Sequence, residues 1–246
     1  MEKREVVEKV RLRLLKGRTW RYLRYIHFRD VIKRIGGEIN TVCVCGAGHG
    51  YAELAVAAEF PNIKFILTDI VNKKLGYPNY HHTMDMSWKW GIDNLEFSVW
   101  NVLEKTDRRF DMIASTEMLE HIEQADLAAR NMLSAASKFV YCLVPFADRA
   151  TNANPQKRAQ AWERHEHYVY GYDRDDLAAL FPKVEFVAGT YWASSGQKLR
   201  ISLNEMSDAE IEQNRAGLER QAEADIVDVV PSNLTEALGI KILSRA

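Results

Sequence analysis

Three glycines at alternate positions, Gly46, Gly48 and Gly50, follow the apolar run Thr41 to Cys45. A strand that ends in glycines can turn tightly and let a ligand approach its backbone, and a helix that starts just beyond offers free N–H groups. The arrangement implies a nucleotide-like ligand at the carboxyl end of the strand. Position 51 is Tyr51, so the spacing is Gly-x-Gly-x-Gly rather than the Gly-x-Gly-x-x-Gly of dinucleotide enzymes, which argues against NAD or FAD. Asp69 ends the next apolar run nineteen residues after Gly50. A carboxylate there can accept hydrogen bonds from both hydroxyls of a ribose. Asn101 follows a third run, and its side-chain amide suits the edge of an adenine ring.

Histidine is the natural proton acceptor at neutral pH, and the chain has 7. His121 lies in Ser115-Thr116-Glu117-Met118-Leu119-Glu120-His121-Ile122, at the end of a fourth apolar run. His165 and His167 lie in Trp162-Glu163-Arg164-His165-Glu166-His167-Tyr168, and their alternate spacing puts both imidazoles on one side of an extended segment. Two histidines without a third convergent ligand make a poor metal site, so no metal is expected. The aromatic stretch from Tyr77 to Trp90 is a candidate lid or acceptor wall.

These residues need a scaffold, and the pattern around them is an alternation. Apolar or β-branched runs occur at Thr41 to Cys45, Ile63 to Thr68, Leu95 to Trp100, Phe110 to Ser115, Lys138 to Val144, Val184 to Ala188 and Lys198 to Ser202. Helical segments fall between them at Tyr51 to Glu59, Met84 to Gly91 and Gln124 to Ser137, and another opens at Asp173, Asp175 and Asp176 and ends near Phe181-Pro182. The alternation predicts an α/β, Rossmann-like fold: seven strands in a mostly parallel sheet with helices on both faces. Residues 147–160 are polar and read as a surface loop. Residues 1–37 read as a helical preface, 38–203 as the ligand-binding domain, and 204–246 as a C-terminal extension and candidate interface. The extension opens with the capping-box pattern Ser207-Asp208-Ala209-Glu210, and its last apolar run, Ile240 to Leu243, suits pairing in a homodimer.

A length of 246 residues suits one α/β domain with a sizeable core. The net charge of -1 gives no reason to expect a nucleic-acid partner, although residues 1–34 carry twelve Lys/Arg against four Asp/Glu. Residues 205–228 reverse this, with eight acids against two bases, so the two ends have opposite charge. Cys43, Cys45 and Cys142 all sit in apolar runs and read as core residues in a reducing, cytoplasmic setting. No apolar run approaches the roughly 18 residues that span a bilayer, so no membrane partner is expected.

Gly46-Ala47-Gly48-His49-Gly50, Asp69, Phe110-Asp111-Met112-Ile113, Met118-Leu119-Glu120-His121-Ile122 and Val144-Pro145 together resemble the ordered motifs of class I S-adenosylmethionine-dependent methyltransferases. The likeness covers roughly residues 38–202 and is nearest to the branch that includes the ubiquinone-biosynthesis O-methyltransferases. It implies S-adenosyl-L-methionine as cofactor and a last strand that runs antiparallel. By position, Gly46, Ala47, Gly48 and Gly50 would line the methionine and ribose, Asp69 with its neighbour Ile70 the ribose, Asn101 and Val102 the adenine, and Thr116 the methionine. Arg24 would reach the cofactor carboxylate. His121, His165 and His167 are the catalytic candidates, acting on an oxygen or nitrogen of a small-molecule acceptor. Two positions depart from the pattern: Val44 stands where these enzymes usually carry an acid, and Asn101 where they usually carry an aspartate. A cofactor-binding scaffold without transferase activity is the rival reading.

Overall fold

The computed structural model describes residues 5, 7–8, 19–181, 183–191, 209, 226–227 and 237–246. In chain order its helices are α1 (Thr19–Ile35), α2 (Tyr51–Glu59), α3 (His81–Trp90), α4 (Ala125–Ala135), α5 (Arg149–Ala153), α6 (Pro155–His165) and α7 (Arg174–Leu180). Its strands are β1 (Thr41–Cys45), β2 (Lys64–Asp69), β3 (Leu95–Val99), β4 (Phe110–Thr116), β5 (Ala136–Pro145), β6 (Val184–Tyr191), β7 (Ile226–Val227) and β8 (Ala237–Arg245).

Successive side chains of a strand point to opposite faces, and the central strands here are apolar on both. On one face Val42, Val44, Phe65, Leu67, Met112, Ala114 and Tyr141 share a core with residues of α1, α2 and α3. On the other, Cys43, Cys45, Ile66, Ile113, Val140 and Cys142 share a second core with Ala128, Ala129 and Met132 of α4 and Leu177 of α7. All three cysteines are buried and unbridged, as their apolar settings imply. The helix α1 is part of the first core: Phe28 stacks on Tyr141 with ring centroids 5.8 Å apart, and Tyr25 donates from its hydroxyl to Glu59 Oε2 at 2.6 Å.

The strand order is β3-β2-β1-β4-β5-β8-β6-β7. The first five strands are parallel, and β8 runs antiparallel to both β5 and β6. Among the described residues the sheet has eight strands where seven are expected, one of them the two-residue β7 on the far edge. An antiparallel strand is present, as the resemblance implies, but it is 237–245; the run Lys198 to Ser202 lies outside the described residues. The segment Ile240 to Leu243 is also not free to pair across a dimer. It hydrogen-bonds between β5 and β6, with Ile242 and Leu243 buried, and a truncation after Leu203 would remove it from the sheet. The helix expected after Ser207 lies outside the described residues, apart from Ala209.

The stretch 147–160 is not a loop but the two short helices α5 and α6. Asp148 Oδ1 accepts from the Thr151 N–H at 2.6 Å, and Asn154 Oδ1 accepts from Gln156 and Lys157 N–H, with Pro155 at the first helical position. Caps of this kind start helices even where the sequence is polar. The helix α7 opens on the expected aspartates, with a reciprocal capping box between Asp173 and Asp176. Among the described residues no helix is long and apolar enough to cross a membrane.

Because Ile242 is fully buried in a strand flanked on both sides, Ile242→Ala should cost about 3 kcal/mol. Urea denaturation of wild type and variant measures this; a loss below about 1 kcal/mol would place the residue outside the core.

Candidate functional site

At the end of β1 the backbone passes through Gly46, Gly48 and Gly50, all left-handed, with φ of 63°, 54° and 67°. Residues with a Cβ rarely adopt such angles. Space is also short at two of the three. A Cβ on Gly46 would lie 2.6 Å from Met118 Sδ, and one on Gly50 2.5 Å from Leu67 Cδ2, whereas at Gly48 nothing stands within 4 Å. The open side of Gly48 faces a cleft lined by residues 46–53, by Thr116 and Glu117 at the end of β4, and by Arg24 of α1. This cleft lies between β1 and β4, where strand order reverses direction, the usual ligand position in an open α/β sheet.

Asp69 ends β2 beside the bend and fixes it. Its Oδ2 accepts from the Gly48 N–H and its Oδ1 from the Ile70 N–H, both at 2.8 Å. Burial raises the carboxyl pKa, against the two N–H groups and His49, which favour the charged form. Each oxygen has a second lone pair for a ligand hydroxyl. Behind the bend, the Thr83 hydroxyl of α3 donates to the His49 carbonyl, and Tyr51 packs edge-on against His82 at 6.2 Å. The aromatic stretch thus braces the glycine turn, with Tyr80 and Met86 buried, and only part of it, such as Trp88, is exposed.

Of the expected cofactor residues, Arg24, Gly46, Ala47, Gly48, Gly50 and Thr116 line this cleft. Asp69, Ile70, Asn101 and Val102 lie outside its walls, next to it along the carboxyl ends of β2 and β3. Ile70 is 57% exposed, an uncovered apolar side chain directly after Asp69. The Asn101 amide is spent locally: its Oδ1 accepts from the Leu103 N–H at 3.1 Å and its Nδ2 donates to Glu104 Oε1 at 3.3 Å. Val102 is buried, and its carbonyl accepts from Asn131 Nδ2 at 2.9 Å. Val44, in place of an acid, is a core residue.

The histidines converge by a route that their spacing hides. The helix α6 ends at His165, Glu166 turns left-handed at φ 57°, and the chain comes back to the turn Leu119–His121, where the Tyr168 N–H donates to the Glu120 carbonyl at 2.8 Å. The segment is therefore a helix cap rather than an extended strand, because Glu166 N–H bonds to the Ala161 and Trp162 carbonyls. His167 meets His121 ring-to-ring at 4.5 Å and perpendicular, while His165 stands 5.2 Å from His167. Desolvation lowers the pKa of both His121 and His167, His167 to about 4, so both are neutral near pH 7.

Three acids carry weight here that the sequence did not reveal. Glu53, in the first turn of α2, and Glu117, which is left-handed at φ 50° and paired with Arg24, both line the cleft. Glu120 is fully buried, its two side-chain oxygens have no hydrogen-bond partner among the described residues, and one of them lies within 4.8 Å of one nitrogen each of His121 and His167. The available signal was an acid between Leu119 and the His121-Ile122 pair, in a run otherwise apolar enough for a core. Burial pushes the Glu120 carboxyl up to about 8, opposed by the Arg24 guanidinium. In turn Glu120 helps to raise Cys142 and Tyr172.

A carboxyl with a higher pKa in the folded than in the unfolded chain binds more protons when folded. Its stabilising effect is complete below the ordinary value of 4.5 and is lost as pH rises toward about 8. In chelator-treated protein, stability should fall between pH 6.5 and 8 by roughly 1 kcal/mol per pH unit, a range above that in which His167 titrates. Denaturation curves of wild type and Glu120→Gln test this, and equal slopes in the two proteins would contradict it.

No family model matches the sequence, and no curated protein does. Among solved structures the chain is similar to a protein of Galdieria sulphuraria provisionally described as a sarcosine dimethylglycine methyltransferase, with TM-score 0.61, 14% identity, and 91% of this chain and 85% of that one covered. It is similar to coclaurine N-methyltransferase bound to N-methylheliamine and SAH, with TM-score 0.62, 12% identity, and 100% and 86% covered. It also resembles the N-terminal domain of EvdMO1 with SAH bound, with TM-score 0.55, 13% identity, and 90% and 81% covered. At such identities the likeness is one of fold, and it does not single out the ubiquinone-biosynthesis branch. The chain has the fold of the class I S-adenosylmethionine-dependent methyltransferases.

Proposed function

We propose that the protein is an S-adenosylmethionine-dependent methyltransferase acting on an oxygen or nitrogen of a small-molecule acceptor. The observation that carries this reading is the pairing of Asp69 with the Gly48 N–H at the open side of the glycine bend. An adenosyl sugar lying there would meet a carboxylate already held in place, and its base would lie toward the exposed Ile70. Arg24 and the first turn of α2 supply polar groups for the amino-acid end, near Thr116. The loss of an acid at Val44 and of an aspartate at Asn101 leaves Asp69 as the main polar anchor, so the reading makes binding unusually dependent on that one residue.

Methyl transfer needs alignment, exclusion of water and removal of a proton from the acceptor. The acceptor lone pair forms the new bond to the methyl carbon, the sulfur–carbon bond breaks with its electron pair staying on sulfur, and the acceptor proton leaves. His121, His165 and His167 do not line the cleft, but His121 follows the cleft residue Glu117 by one short turn and packs against His167, and we assign the three imidazoles to the acceptor.

Asp69→Ala should weaken S-adenosylmethionine binding at least tenfold in calorimetry, since it removes the ribose acceptor and frees the Gly48 N–H. A wild-type chain that gives no heat or thermal shift with the cofactor, or a variant that binds as tightly as wild type, would overturn the assignment.

A further inference from the structure

Glu120, His121 and His167 form a cluster that the methyl-donor cleft does not use. Each offers one ligand atom, and these atoms lie within 4.8 Å of one another. The set of two imidazoles and one carboxylate is what zinc and other first-row divalent ions take, at three protein ligands with further positions open. We propose that these three residues bind a divalent transition-metal cation, which in turn holds a hydroxyl-bearing acceptor beside the donor cleft.

A second observation supports the site independently of the spacing. A carboxylate shut away from water normally finds hydrogen-bond donors, because an unpaired buried charge is expensive. Glu120 is fully buried, yet neither of its oxygens has a partner among the described residues. A cation would satisfy both. The Arg24 guanidinium is already paired with Glu117. His121 is exposed to solvent, which gives the ion a route in. The ligand atoms are held from two sides: the turn Leu119–His121 carries two, and the Tyr168 N–H bond to the Glu120 carbonyl ties His167 against them.

The role given to the ion rests on the methyltransferase reading; the site itself does not. Thr116 and Glu117 line the donor cleft, and Glu120 and His121 follow them within one short turn. An acceptor hydroxyl on the ion loses its proton to solvent more readily, and the resulting oxygen attacks the methyl group as the sulfur–carbon bond breaks. The histidines then act as ligands, and the metal does the work otherwise given to a base.

The test uses the full chain, stripped with chelator, and titrates Zn2+ by calorimetry and Co2+ by visible absorption. One ion per chain should bind, and ligand-field bands of imidazole-bound cobalt should appear. Glu120→Gln and His167→Ala should each weaken binding at least tenfold, while His81→Ala on the exposed side of α3 should not. Circular dichroism checks folding; if Glu120→Gln fails to fold, the partly exposed His167 still decides. Less than one ion per chain, or uptake unchanged in His167→Ala, overturns the site. S-adenosylmethionine titrated into the same stripped and loaded samples separates the two readings: cofactor binding without metal uptake removes only the metal site, and metal uptake without cofactor binding removes only the methyl-donor reading.

Discussion

The left-handed turn at Gly46, Gly48 and Gly50 constrains everything at the upper edge of this sheet, because no side chain can occupy the space between Met118 and Leu67. Met118 starts the Leu119–His121 turn, and Leu67 belongs to β2, so the turn couples the strands on either side of β1. With the glycines in place, the Gly48 N–H points at Asp69, and the backbone rather than side chains forms the cleft floor. Any larger residue at Gly46 or Gly50 would push one of these neighbours away and disturb both the glycine-lined cleft and the histidine cluster.

The remainder of the chain keeps that edge rigid. A parallel sheet with apolar side chains on both faces needs cover on both, which α1, α2 and α3 supply on one side and α4 and α7 on the other. The strand β8 closes the order by inserting between β5 and β6, so the C-terminal residues support the strand from which the chain leaves toward α5 and α6. Those helices carry His167 back over the site. The histidine cluster thus depends on a long excursion of the chain, while the glycine-lined cleft depends on a bend of five residues.

The two sides also differ in electrostatics. At the glycine bend Asp69 is held by backbone N–H groups, and a ligand would add to an arrangement already satisfied. At the histidine cluster a buried carboxyl has no partner among the described residues, and two imidazoles are partly desolvated, which lowers their pKa. Groups held in that state are under-satisfied until a proton, a cation or a substrate arrives. Sites of chemistry are often arranged in this way.

The sequence by itself determined the central parallel strands, most of the helices between them, the glycine bend and Asp69, because each rests on local rules: two-fold alternation, helix periodicity, and the freedom of glycine at positive φ. It also located the three histidines. It assigned Asn101 to an adenine edge and did not show that the same amide bonds to Leu103 and Glu104, a local turn that a side-chain amide two residues from a free N–H readily makes. It took 147–160 for a loop because polar helices held by their caps lack an apolar stripe. Only the tertiary structure decided which strand fills the place beside β5, since β8 pairs across about a hundred residues of chain. Only the tertiary structure brought Glu120 to His121 and His167, because ligand convergence is a matter of distance in space and the sequence records only distance along the chain.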